Sequence, residues 1–344
     1  MRNFITGIGG FVASHLADYL LEKGEEVIGT FRWNEDLSRI AHIKDKITLI
    51  PADLTDLASM IKAMECKPDY IYHLAAESYV NDSYIRPHAT FMANTIGTLN
   101  LLEAVRIVRD NNLDTILVDI SDKPVEDCLG TCCKSPAFDP VVHVCSSSET
   151  YGMILEEDVP VKETQPFRPQ NPYGASKCGA DMIAYVYFKN YGIKTIRTRM
   201  FTHTGPRRTM LSAEVNFAKQ IAEFEKQNNG ECILKHGNLN SIRTFADVRD
   251  AVRAYYLLVR KCTPGEVYNI GGNDKRTIQE VLDYLLSLSK VDIKPTLDES
   301  LLRPSDITLQ VPDSTKFIEE TGWKPKYNFE QTMEDLLNWY RENV

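Results

Sequence analysis

The chain has 344 residues, of which 43% are hydrophobic and 25% charged, and its net charge is −9. That composition fits a globular protein with a large core, and the negative balance argues against general nucleic-acid binding while leaving room for a local basic groove. No stretch approaches the roughly 20 apolar residues of a membrane span.

Residues 2–5 read as a short apolar strand, followed by Thr6-Gly7-Ile8-Gly9-Gly10-Phe11-Val12-Ala13 and an amphipathic helix over 14–23 that Gly24 ends. Strand, glycine turn and helix in this order form a dinucleotide cradle. Gly7 permits the tight turn, Gly10 lets backbone approach a pyrophosphate, and the helix N-terminus faces its charge. Ala13 holds the third small position. Glu26–Phe31 is the second strand, and no acid stands at its end to hold a ribose 2′-hydroxyl. Thr30 and Arg32 suit a 2′-phosphate instead, so NADP is expected ahead of NAD, with Glu35 or Asp36 as the alternative ribose partner.

Residues 47–51 form a third strand with Asp53-Leu54 just beyond it, Asp53 being equally readable as the N-cap of helix Leu57–Met64. A fourth strand spans 70–74 and closes in Ala75-Ala76, small enough for a cofactor to approach. A long helix covers 89–109, with Asn94 hydrogen-bonding in the core. Residues 110–140 read as an insertion, an extra hairpin or loop with a strand at 116–120. The strand 141–145 runs into Ser146-Ser147-Ser148-Glu149, 156–168 is a polar loop over the site, and 173–191 and 194–199 are the next helix and strand.

Beyond Arg208 the regular alternation breaks. Helices are expected at 211–227, 278–289 and 329–340, with short strands at 233–234, 243–245 and 266–270. The whole is an α/β protein: a Rossmann-type doubly wound parallel sheet over 1–201 and a smaller α/β lobe over 202–344, with some chain crossing back.

Tyr173 and Lys177 are four residues apart and share a helix face. An ammonium beside a phenol favours the phenolate and lowers a pKa of about 10, which makes Tyr173 a candidate general base for a sugar or alcohol hydroxyl. Ser147 can hydrogen-bond the same hydroxyl. Alone, the pair is as readily a half-buried tyrosine and a solvated lysine; the dinucleotide cradle gives it weight. The eight cysteines include no Cys-x-x-Cys pair, which points to reduced thiols. Cys128, Cys132, Cys133 and His143 fit no common zinc spacing, so no metal is expected. With no signal segment ahead of the first strand, the expected location is the cytoplasm.

Thr6-Gly-x-x-Gly-Phe, Asp53-Leu54, His73-Leu-Ala-Ala, Asn94 with Gly97-Thr98, the serine run ending Glu149-x-Tyr-Gly, and Tyr173-x-x-x-Lys177 occur in one order. Together they resemble the extended short-chain dehydrogenase/reductase family that acts on nucleotide sugars. Within it, Phe201-Thr-His-Thr-Gly-Pro-Arg-Arg208, Arg243-Thr-Phe-Ala-Asp-Val248 and Arg303-Pro-Ser-Asp306 are most similar to the GDP-mannose 4,6-dehydratase and GDP-4-keto-6-deoxymannose reductase branch.

The resemblance implies a cofactor held by Gly7, Gly10, Phe11, Val12, Arg32, Asp53, Leu54, Leu74, Ala75, Ala76, Tyr173 and Lys177. It implies catalysis by Tyr173, Lys177, Ser147, Ser148 and Glu149. Glu149, Thr202, Arg208, Arg243 and Arg303 would bind the nucleotide diphosphate sugar. Two departures stand out: Thr202 where relatives carry Asn, and Thr244 where they carry Asp. The implied reaction is 4,6-dehydration of a GDP-hexose or GDP-heptose, with a GDP-4-keto-6-deoxy-sugar reductase or a 4-epimerase as alternatives. The implied assembly is a homodimer or homotetramer built on the helices at 89–109 and 173–191.

Overall fold

Phe4 and Ile5 are neighbours in the first strand, and both are fully buried. A strand sends successive side chains to opposite faces, so helices must cover both sides of the sheet this strand joins. The computed structural model describes residues 1–110, 138–209, 212–227, 231–302 and 307–344. The expected strand at 116–120, Cys128, Cys132, Cys133 and the Arg303–Asp306 motif lie outside the described residues.

The chain opens with β1 (Arg2–Thr6), α1 (Phe11–Glu22), β2 (Glu26–Phe31), β3 (Thr48–Pro51), α2 (Leu57–Met64) and β4 (Tyr70–His73). The short α3 (Val80–Ile85) and α4 (Pro87–Phe91) precede α5 (Gly97–Asp110), β5 (Val141–Ser147), α6 (Pro172–Tyr191) and β6 (Lys194–Met200). Then come β7 (His203–Thr204), α7 (Ala213–Gln227), β8 (Ile233–His236), β9 (Ile242–Asp247), α8 (Val248–Lys261) and β10 (Val267–Ile270). The chain closes with β11 (Asp274–Thr277), α9 (Ile278–Ser287), β12 (Lys294–Leu297), β13 (Leu309–Gln310), α10 (Thr315–Thr321) and α11 (Phe329–Asn343).

Among the described residues the main sheet has seven strands in the order β10-β6-β5-β4-β1-β2-β3, and every pairing is parallel. On the Ile5 face, α1 and α8 contribute Leu16, Leu20, Tyr255 and Leu258 to one core. On the Phe4 face, α2, α5 and α6 contribute Met60, Leu101, Val105 and Ala184 to another. A third core joins α7, α9 and α11 beside a small sheet in which β7, β11 and β13 all pair with β9.

Three sequence expectations change. The helix over 89–109 is interrupted: α4 and α5 flank a wider π turn at Met92–Ile96. Its cause is Asn94, which turns inward to accept from Glu77 N (2.9 Å) and donate to Glu77 O and Ser176 Oγ (2.9 Å each). The N-cap of α2 is Asp56, which accepts from Ala58 N; Asp53 instead turns onto Thr55 N and Oγ1, both at 2.8 Å. Helix α8, unassigned from the sequence, is capped by Asp247 and packs on α1, carrying the chain back to place β10 beside β6.

Candidate active site

The strand order reverses between β1 and β4, so the loops after these two strands part and leave a crevice at their carboxyl ends. There lies a cavity of about 810 Å³, walled by the turn after β1, the ends of β2, β4, β5 and β6, and the start of α6.

One end of it is built from the glycine turn. Gly7 has φ +67°, and a Cβ there would stand 2.9 Å from the Ala75 Cβ, so a small residue is needed at both positions. Thr6 Oγ1 ties the two segments by accepting from Leu74 N (3.1 Å) and Ala75 N (3.0 Å). Gly10 caps α1 without any side-chain hydrogen bond, so the first-turn N–H groups have no side-chain acceptor and suit a phosphate. The glycine cradle, the helix end and the crevice fit a dinucleotide. All twelve residues expected to hold a cofactor line this cavity.

At the far end of β2 the expected pair differs in exposure. Thr30 is buried, its hydroxyl accepting from Gly7 N at 3.3 Å, and it lines the cavity together with Arg32. Arg32 is exposed, with its guanidinium 3.7 Å from Glu77. Glu35 folds back to accept from Arg32 N at 2.9 Å and also lines the cavity. Arg39, which no motif flagged, joins the wall through Gly9 O (3.2 Å) and Arg207 O (3.0 Å).

The other end gathers the candidate catalytic groups. Asn171 caps α6, accepting from Gly174 N at 2.7 Å, with Pro172 in the first turn. Gly174 lets the helix close on the turn after β5, since a Cβ there would lie 2.7 Å from Glu149 O. Tyr173 and Lys177 are both buried and both reach the cavity. Burial pushes the Tyr173 phenol above its ordinary range, with the Ser147 hydrogen bond pulling the other way. Burial likewise lowers the Lys177 amine, whose Nζ donates to Cys145 O at 2.9 Å. Loss of water around the phenolate opposes the expected acidification of the phenol by Lys177.

Glu149 sits one turn past β5. Its Oε2 accepts from Asn171 Nδ2 at 2.7 Å and its Oε1 from Gln310 Nε2 at 3.2 Å. The amide orientation of Asn171 follows from its Oδ1 being taken by Gly174 N. Ser148 donates its hydroxyl to Gln310 Oε1 at 3.3 Å. Neither Asn171 nor Gln310 was singled out from the sequence; the Asn-Pro-Tyr order could flag the first as a helix cap.

Of the expected sugar-binding residues, Glu149, Thr202 and Arg208 line the cavity. Arg208 lies 3.3 Å from Glu214 and 5.8 Å from the Phe11 ring centre, and His203 stacks on that ring at 6.2 Å. Arg243 is not on this wall: its guanidinium donates to the carbonyls of Ile242 and Ile307. Arg303 lies outside the described residues. Among those described, no cluster of metal-ligand side chains occurs, and no helix is long and apolar enough to cross a membrane.

A family model described as GDP-mannose 4,6 dehydratase matches residues 4–336. The chain belongs to the GDP-mannose 4,6-dehydratase family. It is 30% identical to GDP-mannose 4,6 dehydratase 1 of Arabidopsis thaliana, over 99% of this chain and 91% of that protein. It is 27% identical to GDP-6-deoxy-D-mannose reductase of Pseudomonas aeruginosa, over 100% of this chain and 98% of that protein. The solved structure of RMD from Pseudomonas aeruginosa, complexed with NADPH, superposes with TM-score 0.78 at 24% identity over the whole of both chains. UDP-glucose 4-epimerase of Thermotoga maritima, solved with UDP-glucose, gives TM-score 0.81 at 24% identity over 99% of each chain. These two structures speak for the fold.

Proposed function

We propose that this chain is an NADP-dependent GDP-sugar 4,6-dehydratase, acting on GDP-mannose or a GDP-manno-heptose. The observation that carries the reading is the Glu149 carboxylate. Both its oxygens accept amide N–H groups, and it lies near enough to Tyr173 for its charge to raise the phenol. A carboxylate so held is oriented to take a proton from carbon.

Gly7, Gly10, Ala75, Tyr173 and Lys177 would hold the nicotinamide dinucleotide, which would supply a hydride acceptor for C4 and a hydride donor for C6. Tyr173, in its phenolate form beside Lys177, would take the C4 hydroxyl proton, with Ser147 close to the phenol. The resulting C4 ketone acidifies the C5 proton, which Glu149 removes. The same proton leaves with the C6 oxygen as water, so Glu149 serves as base and then acid; once C6 is reduced, C5 takes back a proton through Glu149, and the proton held by Tyr173 returns to solvent. Ser148 already donates to Gln310, which favours Glu149 over Ser148 as that acid. Arg208, on the cavity wall, is the diphosphate partner the geometry favours; Arg243 and Arg303 remain expected ones.

Arg32 at the end of β2 supports NADP. The family relatives named for GDP-mannose support the guanine nucleotide. The cytoplasm, where nicotinamide cofactors are abundant, is the proposed location. Met182, Tyr185 and Val186 on α6 and Phe91 on α4 are exposed, and we assign them to a homodimer or homotetramer contact.

A second reading is supported by the end-to-end similarity to the Pseudomonas aeruginosa reductase and by a Tyr173 phenol that burial keeps protonated. In it Tyr173 gives its proton to a C4 ketone and Glu149 takes no part. Incubation with GDP-mannose, followed by mass spectrometry, separates the two. Loss of one water that Glu149→Gln abolishes establishes the dehydratase. No loss of water, with NADPH consumed on a GDP-4-keto-6-deoxy sugar, establishes the reductase.

A further inference from the structure

A glutamine in an apolar strand requires an explanation. Gln310 stands between Leu309 and Val311, and only 4% of its surface is exposed. A buried amide is costly unless both its ends are bonded. Here both are: the carbonyl accepts from Ser148 Oγ and the amide donates to Glu149 Oε1. The backbone around it is fixed on two sides. Leu309 and Gln310 pair with Ile242 and Arg243 of β9, and Val161 bonds both Val311 O and Asp313 N at 2.8 Å. Gln310 also reaches the cavity wall.

We infer that Gln310 is a positioning residue for Glu149, delivered from the C-terminal lobe, and that it acts on removal of the C5 proton but not on oxidation at C4. This rests on the dehydratase reading. Asn171 holds one carboxylate oxygen from the start of α6 and Gln310 holds the other from β13. The carboxylate is thus clamped between two elements that share no backbone hydrogen bond. Tyr173 is placed by the start of α6 and not by β13, and loss of the Gln310 amide leaves in place the Glu149 charge that acts on the phenol, so the C4 step does not depend on Gln310. Losing the β13 amide frees one side of Glu149 to rotate, and a misplacement of about 1 Å costs roughly 100-fold in rate.

The test uses the full chain with its nicotinamide cofactor, GDP-mannose, and the variants Gln310→Met and Gln310→Leu. Methionine keeps the volume and removes both hydrogen bonds. Water loss is followed by mass spectrometry and reduced nicotinamide by its absorbance, and thermal melts check that the variants fold. The expected result is a kcat for water loss roughly 10- to 100-fold lower with KM within about twofold. Reduced cofactor and the unreacted 4-ketone should build up, because C4 is still oxidised. If Gln310→Met loses water at the wild-type rate, Gln310 only fills space and the inference is overturned. If both steps slow together and no reduced cofactor builds up, it acts at C4 and the inference is equally overturned. A wild-type protein that removes no water sinks the dehydratase reading and this inference with it; a wild-type protein that does, beside an unaffected variant, sinks this inference alone.

Discussion

At Tyr173, burial and a hydrogen bond act in opposite directions on one proton. Burial wins, and the phenol holds its proton more tightly than a solvated tyrosine. Tyr173→Phe removes the group and keeps the shape; turnover should fall roughly 100- to 10,000-fold while the melting temperature stays near wild type. At the other end of the cavity, Arg32 and Glu35 offer opposite charges within one turn. Arg32→Ala should weaken NADPH about tenfold relative to NADH in a fluorescence titration, the size of one charge-assisted hydrogen bond. An unchanged ratio would hand discrimination to Arg39. The motif residues were legible because the glycine turn, the serine run and the Tyr-x-x-x-Lys pair are each local in sequence. Gln310 was not, since it meets Glu149 across 161 residues. Arg243 was legible as a motif arginine, but its guanidinium is used on backbone carbonyls, which no spacing reveals.

Helix α6 supplies Tyr173 and Lys177 and must keep its distance from β5 and β6. Asp181, one turn beyond Lys177, does part of this. It is fully buried and accepts from Arg197 and Arg199 of β6 at 3.0 Å each. Arg199 continues the chain of contacts to the Tyr151 hydroxyl at 3.1 Å and stacks near Phe167 at 4.4 Å, tying the loop over 156–168 to the same strand. Asp181→Ala leaves two buried guanidinium groups short of a counter-charge and should cost about 3–5 kcal/mol, read as a lower denaturant midpoint. A midpoint within error of wild type would mean the arginines find other partners. Long elements with a clear period were legible to within a few residues. The short strands β7, β11 and β13 were not, because two to four residues carry no period and are strands only through pairing with β9. Helix α8 had an apolar stripe through Val252, Tyr255 and Val259, all buried, but three arginines and a lysine along its length obscured it.

Among the described residues, three histidines are buried and a fourth, His203, is half-buried, and all four are kept neutral. Burial lowers His15 and His203 to about 4, and His73 and His143 to about 3, from 6.5. The unfolded chain takes up these protons once the pH drops below 6.5, whereas the folded chain resists until near 4 or 3. The stability they contribute is therefore complete above 6.5 and is lost progressively as pH falls through that window. Thermal melts between pH 6.5 and 4 should show a steep fall in melting temperature, shallower in His143→Gln. An equal slope in that variant would assign acid sensitivity to the carboxylates instead. The surface scale was the least legible, because which face of α6 stays open depends on the turn at Gly265 that covers Phe188.

The edge strand β10 has a consequence for how the protein is made. Its register partner is β6, from residue 197 paired with 267 to residue 200 paired with 270. A ribosome that has delivered every motif of the cofactor cradle has therefore delivered a sheet one strand short. The side of β6 awaiting its neighbour is an unpaired row of backbone groups, the kind that recruits strands from other chains. Nascent chains stalled after residue 200 should be protease-sensitive and should aggregate on release, and those long enough to expose residue 270 outside the exit tunnel should resist. Helix α8, reaching α1 before β10 arrives, is the piece positioned to hold that edge out of trouble in the interval.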